Sequence, residues 1–355
     1  MIDIDELLKI SVNRNASDIF ITVGIPPTLK IDGNLVKLDH PKLSPEETES
    51  LIIKLFKVDE HYQDYLKYGD KDFSISLKGV GRFRVDVYKQ RGSMAAAIRV
   101  LRFESNQVKN LRIPETVLDF YKKTKGLVIV TGPTGSGKST TISSIIDLIN
   151  KNRDSHIITI EDPIEHLHRH DKSIIDQREI GIDSKSYKMA LRAALRQAPD
   201  VIFIGEMRDY ETISIALTAA ETGHLVFSTL HTIGAAKTID RIVDVFPANQ
   251  QQQVKVQLST VLEGVISQQL LPSEKLGRVP AFEIMISTPA IRNMIRSGKV
   301  PQIEAAIQTG RSEGMVSMDV SIAELYNEGL VSKEKAELYS VNVEALERYI
   351  EKKDI

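Results

Sequence analysis

The chain contains no cysteine, and none of its apolar runs is long enough to span a bilayer. Without cysteine there can be no disulfides and no thiolate metal centres, a composition that fits a reducing compartment. Without a membrane span, any role at a membrane must pass through a partner. An excess of one charge is also missing. The 355 residues carry 46 Lys and Arg against 48 Asp and Glu, a formal net charge of −2. That balance argues against a general polyanion binder while allowing a local basic patch. The opening Met1-Ile-Asp-Ile-Asp-Glu6 is acidic and reads as the start of an amphipathic helix, not as a signal peptide. No internal repeat and no low-complexity tract is present. The length exceeds what one core usually serves, so two domains are expected.

What the sequence does have is Leu127-Val-Ile-Val-Thr-Gly-Pro-Thr-Gly-Ser-Gly-Lys-Ser-Thr-Thr141. Leu127 to Val130 reads as a buried parallel strand. Gly132 to Ser139 fits G-x-x-x-x-G-K-[ST] without a gap. Thr140 to Leu148 reads as a helix with Ile142, Ile145, Ile146 and Ile149 on one side. Strand, glycine-rich loop and helix in that order are the context of a P-loop. Glycines let backbone N–H groups turn inward around phosphate oxygens, and the helix N-terminus adds partial positive charge. In such a loop Lys138 reaches the β- and γ-phosphates, and Ser139 offers a hydroxyl to Mg²⁺.

The region before this loop mixes helices with antiparallel strands. Ile4, Leu7, Leu8 and Val12 share a helical face, and Asp18 to Val23 is strand-like. Leu29 to Val36 reads as a hairpin turned at Asp32-Gly33. Ser44, Pro45 and Glu47 form a strong helix start, with Leu51, Ile52, Leu55 and Phe56 following. Further strands are expected at 72–77, 82–88 and 94–101. These give a small α+β domain over residues 1–103, followed by a polar linker over 104–114. Residues 115–355 form the second domain. There, strands at 156–160, 200–204 and 224–228 alternate with helices at 187–196 and 210–222, an α/β pattern with a parallel sheet. The last third reads as mainly helical. A long helix is expected from Asn249 to Leu270, with Asn249-Gln-Gln-Gln-Gln253 as its exposed start. Shorter helices follow at 288–297, 301–310, 318–328, 333–339 and 343–352.

Ligand groups in open parallel sheets sit just beyond the carboxyl ends of strands. Here one strand runs into Glu161-Asp162, another into Gly205-Glu206, and a third into Thr229-Leu-His231. Should these strands flank the P-loop strand, their ends face the terminal phosphate. Hydrolysis needs a carboxylate for hydrated Mg²⁺, a second for the attacking water, and a polar sensor of the phosphate. Asp162, before Pro163, can instead be read as a helix N-cap. His166-Leu-His-Arg-His170 would align three histidines on one strand face, as in a metal site. A polar strand face explains the same spacing and is the reading adopted.

Four boxes in one order make a resemblance specific. They are Gly132 to Thr140, Thr159-Ile-Glu-Asp-Pro-Ile-Glu165, Pro199 to Asp209, and Ser228-Thr-Leu-His-Thr232. The chain resembles the secretion ATPases of the type II/type IV pilus superfamily over essentially its whole length, including the Gly205-Glu206 form of the Walker B segment. Within that family it is most similar to the pilus-retraction branch. Its N-terminal region is short, and it lacks the four-cysteine zinc site of the extension branch. Ala290-Ile-Arg-Asn-Met-Ile-Arg296 is similar to that branch's AIRNLIRE motif, departing at Met294 and at Ser297.

The resemblance implies a RecA-like ATPase domain after a PAS-like N-terminal domain, working as a ring homohexamer with ATP and Mg²⁺. It implies that Gly132, Pro133, Thr134, Gly135, Ser136, Gly137, Lys138, Ser139 and Thr140 bind the nucleotide, and that Ser139 and Glu206 hold the metal. Glu161 positions or deprotonates the water, although the two glutamates could exchange roles, and His231 senses the terminal phosphate. Arginines of the N-terminal domain reach the nucleotide, with Arg82, Arg84, Arg91 and Arg99 as candidates; Arg208 could serve at an interface or beside the metal. The Ala290–Arg296 helix would serve transmission, or equally core packing around Ile291, Met294 and Ile295. The implied partner is an inner-membrane platform protein, with the chain at the cytoplasmic face of the membrane and no direct nucleic-acid contact. Pilus extension, type II or type IV secretion, and a RecA-like nucleic-acid motor are the rival functions.

Overall fold

The computed structural model describes residues 2–31, 33–101 and 111–351. Contacts divide the chain into Met1–Glu104 with Glu165–Leu167, and Ser105–Ile164 with His168–Ile355. Asp32 of the expected hairpin turn and residues 104–110 of the expected linker lie outside the described residues. Among the described residues no helix is long and apolar enough to cross a membrane.

The first unit is an antiparallel sheet with helices. Its elements are α1 (Ile4–Asn13), β1 (Asp18–Ile21), β2 (Thr28–Ile31), β3 (Asn34–Lys37), α2 (Pro45–Ile53), α3 (Asp59–Tyr68), β4 (Asp70–Leu77), β5 (Gly81–Gln90) and β6 (Ser93–Leu101). The sheet runs β3-β2-β1-β6-β5-β4. Local sequence dictates much of this. Ser44 accepts from the Glu47 backbone while the Glu47 side chain takes the Ser44 N–H, a complete capping box that starts α2. Arg91 and Gly92 turn the β5–β6 hairpin with φ of 50° and 82°, as a two-residue type I′ turn requires. Ile4, Leu7 and Leu8 of α1 and Leu51 and Ile52 of α2 bury against Ile19, Phe83, Val85 and Ile98.

The second unit is built around a parallel sheet. Its elements are α4 (Glu115–Leu118), β7 (Gly126–Thr131), α5 (Lys138–Asn152), β8 (His156–Glu161), β9 (Ile174–Glu179), α6 (Tyr187–Ala194), β10 (Val201–Ile204), α7 (Tyr210–Glu221), β11 (Leu225–Leu230) and α8 (Ala235–Asp244). After them come α9 (Ala248–Val261), β12 (Leu262–Ser273), β13 (Gly277–Ile286), α10 (Pro289–Arg296), α11 (Gln302–Thr309), α12 (Met318–Asn327), α13 (Lys333–Tyr339) and α14 (Val343–Glu351). The order is β13-β12-β7-β11-β10-β8-β9, parallel throughout except for the β12–β13 pair. Alternate residues of β7 serve opposite faces. Leu127 and Ile129 pack with α6, α7, α8 and α9, and Val128 and Val130 with Ile142, Ile145, Ile146 and Ile149 of α5. Both faces are thus covered, as continuous apolar strands demand. The architecture is mixed α/β with an antiparallel N-terminal unit and a larger parallel-sheet unit, as the alternation of elements implies.

The long helix expected from Asn249 to Leu270 is not formed. α9 ends at Val261, and Leu262 turns extended with ψ of 125°. Leu262, Val265 and Ile266 continue the helical spacing, so periodicity alone favours a helix there. Pairing decides otherwise: β12 lies between β7 and β13. A Cβ at Gly264 would stand 2.3 Å from Phe120 Cζ, so that glycine lets the strand lie under the aromatic ring. The sequence reading also passed over α3, β9, α8 and β13.

Candidate active site

One register row orders the rim of the parallel sheet. Ile160, Ile204, Ser228, Ile129 and Val265 stand side by side on β8, β10, β11, β7 and β12. Counting up the chain from that row, Glu161 is one residue above, Glu206 two, and His231, Gly132 and Gln268 three. Pairing therefore delivers all five to one edge. The three strands do not stand on both sides of β7. β11, β10 and β8 follow one another on a single side of β7, and β12 takes the other.

The P-loop has the form its glycines predict. Gly132, Gly135 and Gly137 have φ of 144°, 77° and 88°, in the region that L side chains avoid. A Cβ at Gly132 would lie 2.2 Å from the Gln268 carbonyl oxygen, so this position also lacks room. α5 begins with no side-chain cap and no acid in its first turn, which leaves its first N–H groups to an anion. Lys138 is buried, its ammonium donating to the carbonyls of Gly132 at 2.9 Å and Pro133 at 3.0 Å. Ser136 Oγ is buried with no hydrogen-bond partner. An orphaned hydroxyl inside a glycine cradle fits a bound phosphate group. The oxygen donors Ser139 and Glu206 are of the kind a hard divalent cation takes.

Glu206 and His231 meet, with Nε2 of the histidine 3.1 Å from Oε1. The other carboxylate oxygen pairs with Arg208 Nε at 2.8 Å. Glu161 is 7% exposed and accepts from the Thr159 hydroxyl at 2.6 Å and from Gln177 Nε2 at 3.3 Å. The Gly205 N–H bonds the Ile160 carbonyl at 2.7 Å, which sets the two glutamates at neighbouring strand ends. Tyr187 packs among them. Its hydroxyl lies 3.0 Å from where a Gly205 Cβ would stand. Burial first, then the charges of Asp162, Glu206 and Glu161, push that hydroxyl well above its ordinary pKa. Thr131, Thr232 and Thr238 form a hydroxyl chain that links the end of β7 to the loop after His231.

Some expected residues lie elsewhere. Asp162 caps no helix, because 163–166 are irregular. The 166–170 segment is not a strand, so its histidines do not share a strand face. His168 Nδ1 donates to the Asp147 carboxylate at 2.7 Å, and His170 Nδ1 accepts the Ile175 N–H at 3.1 Å. The four arginines lie on the β5–β6 hairpin of the first unit. Arg84 and Arg99 are opposite each other in register and line one cavity with Asp18, Asp72 and Asp86. Arg82 and Arg91 mark opposite ends of β5, about 30 Å apart at ~3.3 Å per residue, so the four cannot converge on one phosphate.

Sequence reasoning missed Gln268, Tyr187, Thr141 and Glu283. Gln268 accepts from the Thr141 hydroxyl at 2.7 Å. Glu283 accepts the Ala235 N–H at 2.7 Å and so caps α8. Ile291 and Ile295 of α10 are core residues. Arg292 donates to the carbonyls of Ser259, Thr260 and Ser287 and to Glu263, a clamp on the end of α9.

Residues 1–276 match the Type II/IV secretion system protein family. The chain is 46% identical over 334 residues to a protein of Pseudomonas aeruginosa named type IV pilus retractation ATPase PilT, covering 94% of this chain and 97% of that one. It is 43% identical to a twitching motility protein of Neisseria gonorrhoeae, covering 96% and 91%. A solved structure of the pilus retraction motor PilT with bound ADP superposes with a TM-score of 0.90 at 50% identity, covering 98% of this chain and all of the other. A glycine cradle, two strand-end glutamates and a histidine at one edge of a parallel sheet, in a chain this similar end to end, lead to one conclusion: the chain belongs to the Type II/IV secretion system protein family.

Proposed function

We infer that this chain is the ATPase of a type IV pilus retraction motor, hydrolysing ATP to ADP and phosphate and driving pilus disassembly and twitching motility. The observation that carries the reading is 46% identity to a retraction ATPase across nearly the whole length of both chains. The geometry of the sheet edge supports it. Gly132 to Thr140 cradle the phosphates, and Lys138 trades its carbonyl partners for phosphate oxygens. Ser139 and Glu206 hold Mg²⁺, which when bound neutralises charge on the phosphates. Glu161 orients or deprotonates the attacking water. His231, already against Glu206, reports whether the terminal phosphate is present. Arg82, Arg84, Arg91 and Arg99 are the source of an arginine that stabilises transition-state charge, and the distance between Arg82 and Arg91 restricts that role to a subset.

The working form is a ring homohexamer at the cytoplasmic face of the membrane. Its motion turns a PilC-like platform protein, and no nucleic acid takes part. One variant tests the whole reading. Lys138→Ala, purified, should release no phosphate above background while melting as a folded protein. In cells it should leave pili present in excess and unable to retract. Bald cells would make the chain an extension motor, and wild-type phosphate release would remove the P-loop from the mechanism.

A further inference from the structure

Residues 231–234 join β11 to α8, and they run across the end of β7. Thr131, the last residue of β7, stands beside Leu230 of β11 on one side and Ser267 of β12 on the other. Leaving β11, the chain passes His231 and is bonded by Thr131 at Thr232. It then gives the Gly234 N–H to the Ser267 hydroxyl at 3.0 Å, and α8 begins at Ala235. The loop that carries His231 and the glycine cradle that begins at Gly132 therefore share one anchor, the end of β7.

That anchor is made of hydroxyls, and their protons can be counted. Each threonine hydroxyl has one proton to donate. Thr238 gives its proton to the Gly234 carbonyl at 2.8 Å. The 2.7 Å contact between Thr232 and Thr238 is then donated by Thr232. Thr131 is left as the donor to Thr232, whose hydroxyl lies at 2.8 Å and whose carbonyl oxygen accepts as well. All three hydroxyls donate in one direction, from β7 toward α8, and each finds an acceptor. Thr131 and Thr238 are both fully buried. Valine would serve a buried strand end as well as threonine does, so strand formation does not call for the Thr131 hydroxyl. What the hydroxyl adds is a fixed tie between the residue before Gly132 and the residue after His231.

His231 has need of such a tie. Its side chain is 46% exposed, so packing alone does little to fix it. A reacting group displaced by about 1 Å can cost about 10²-fold in rate. We propose that Thr131 and Thr232 are positioning residues for ATP hydrolysis, holding His231 at a set distance from the P-loop and acting only through it. The proposal rests on the reading of His231 as the sensor of the terminal phosphate.

Steady-state hydrolysis and ADP binding by the full chain test it. Thr131→Val and Thr232→Val remove a hydroxyl and keep the branched shape. Each should lower kcat by about three- to tenfold, the worth of one hydrogen bond. KM for ATP and the Kd for ADP should stay within about twofold. Thr131→Ser, which keeps a hydroxyl, should hold kcat within about twofold of wild type. On a His231→Ala background neither valine should lower the residual kcat further, because residues that act as a unit do not add. Thr232 is only half-buried, so its variant reports on the tie even where Thr131→Val melts early. Unchanged kcat in the valine variants, a change in KM alone, or losses that multiply with that of His231→Ala overturn the positioning role. Full activity in His231→Ala overturns the sensor reading, whatever the valine variants do.

Discussion

The two sheets of this molecule handle charge in different ways. On the antiparallel sheet of the first unit, charges stand on an exposed face and are balanced sideways. Arg84 faces Arg99 across the β5–β6 ladder, and Asp72 faces Asp86 across β4–β5. These like pairs are offset diagonally: Arg84 reaches Asp72 at 2.5 Å and Arg99 reaches Asp18 at 3.3 Å. On the parallel sheet the inner strands β7, β10 and β11 carry no charged residue, since both of their faces are buried. Charge gathers beyond the strand ends, where Lys138 and Glu161 are each 7% exposed. A buried charge is costly unless specific groups hold it, and here loop carbonyls, Thr159 and Gln177 do so. Face charges on the first sheet are exchangeable in energy, whereas rim charges on the second are fixed in place. The rim is accordingly where substitution should separate function from stability most cleanly.

The largest expected effect is at that rim. Glu161→Gln keeps an acceptor for Thr159 and Gln177 but removes the carboxylate proposed as the base. Single-turnover hydrolysis should fall by about 10²–10⁴-fold, with ADP binding unchanged. Glu206→Gln should instead raise the Mg²⁺ concentration needed for half-maximal turnover. If the Mg²⁺ shift appears in the Glu161 variant, the two glutamates exchange roles.

A smaller effect concerns a buried carboxylate away from the rim. Burial holds Glu283 above its ordinary pKa, and Glu304 and Asp319 add to this, while the Ala235 N–H opposes it. The folded chain therefore binds this proton more tightly than the unfolded chain does. The cost of ionising Glu283 is absent below the unfolded value of 4.5 and fully present above the folded one. Stability should thus fall as pH rises through that window, and Asp319, also raised by burial, contributes from 3.8 upward. Glu283→Gln keeps the cap on α8 and removes one source of the slope. Its melting temperature should vary less with pH, gaining about a few degrees over wild type at neutral pH. An unchanged slope would assign the effect to Asp319.

Where structure was decided locally, it could be read in the sequence. The P-loop is one continuous motif, and α2 announces itself through Ser44 and Glu47, three residues apart. Glu161, Glu206 and His231 were legible as candidates because each ends or follows an apolar strand. The remainder depends on distant partners. α8 starts at Gly234 with no side-chain cap of its own; its cap is Glu283, 48 residues away. β12 carries the spacing of a helix and becomes a strand only because β7 and β13 pair with it. Gln268 was hidden for the same reason, as one polar residue in an apparent helix, 127 residues from the Thr141 it holds.

The smallest effect belongs to the exposed face of the first sheet. Asp72→Asn removes the partner of Arg84, whose side chain is 36% exposed against 44% for Asp72. Solvent screens such a pair, and two side chains lose freedom in forming it, so urea unfolding should show a loss of about 0.2–1 kcal/mol. The loss should shrink in ~1 M salt, where the Debye length is about 3 Å. Arg99 stands opposite Arg84, so removing Asp72 also leaves two like charges facing each other, with Asp18 and Asp86 of the same cavity to offset them. A loss above about 2 kcal/mol that persists in high salt would mean this face is as tightly organised as the rim, and the contrast between the two sheets would fail.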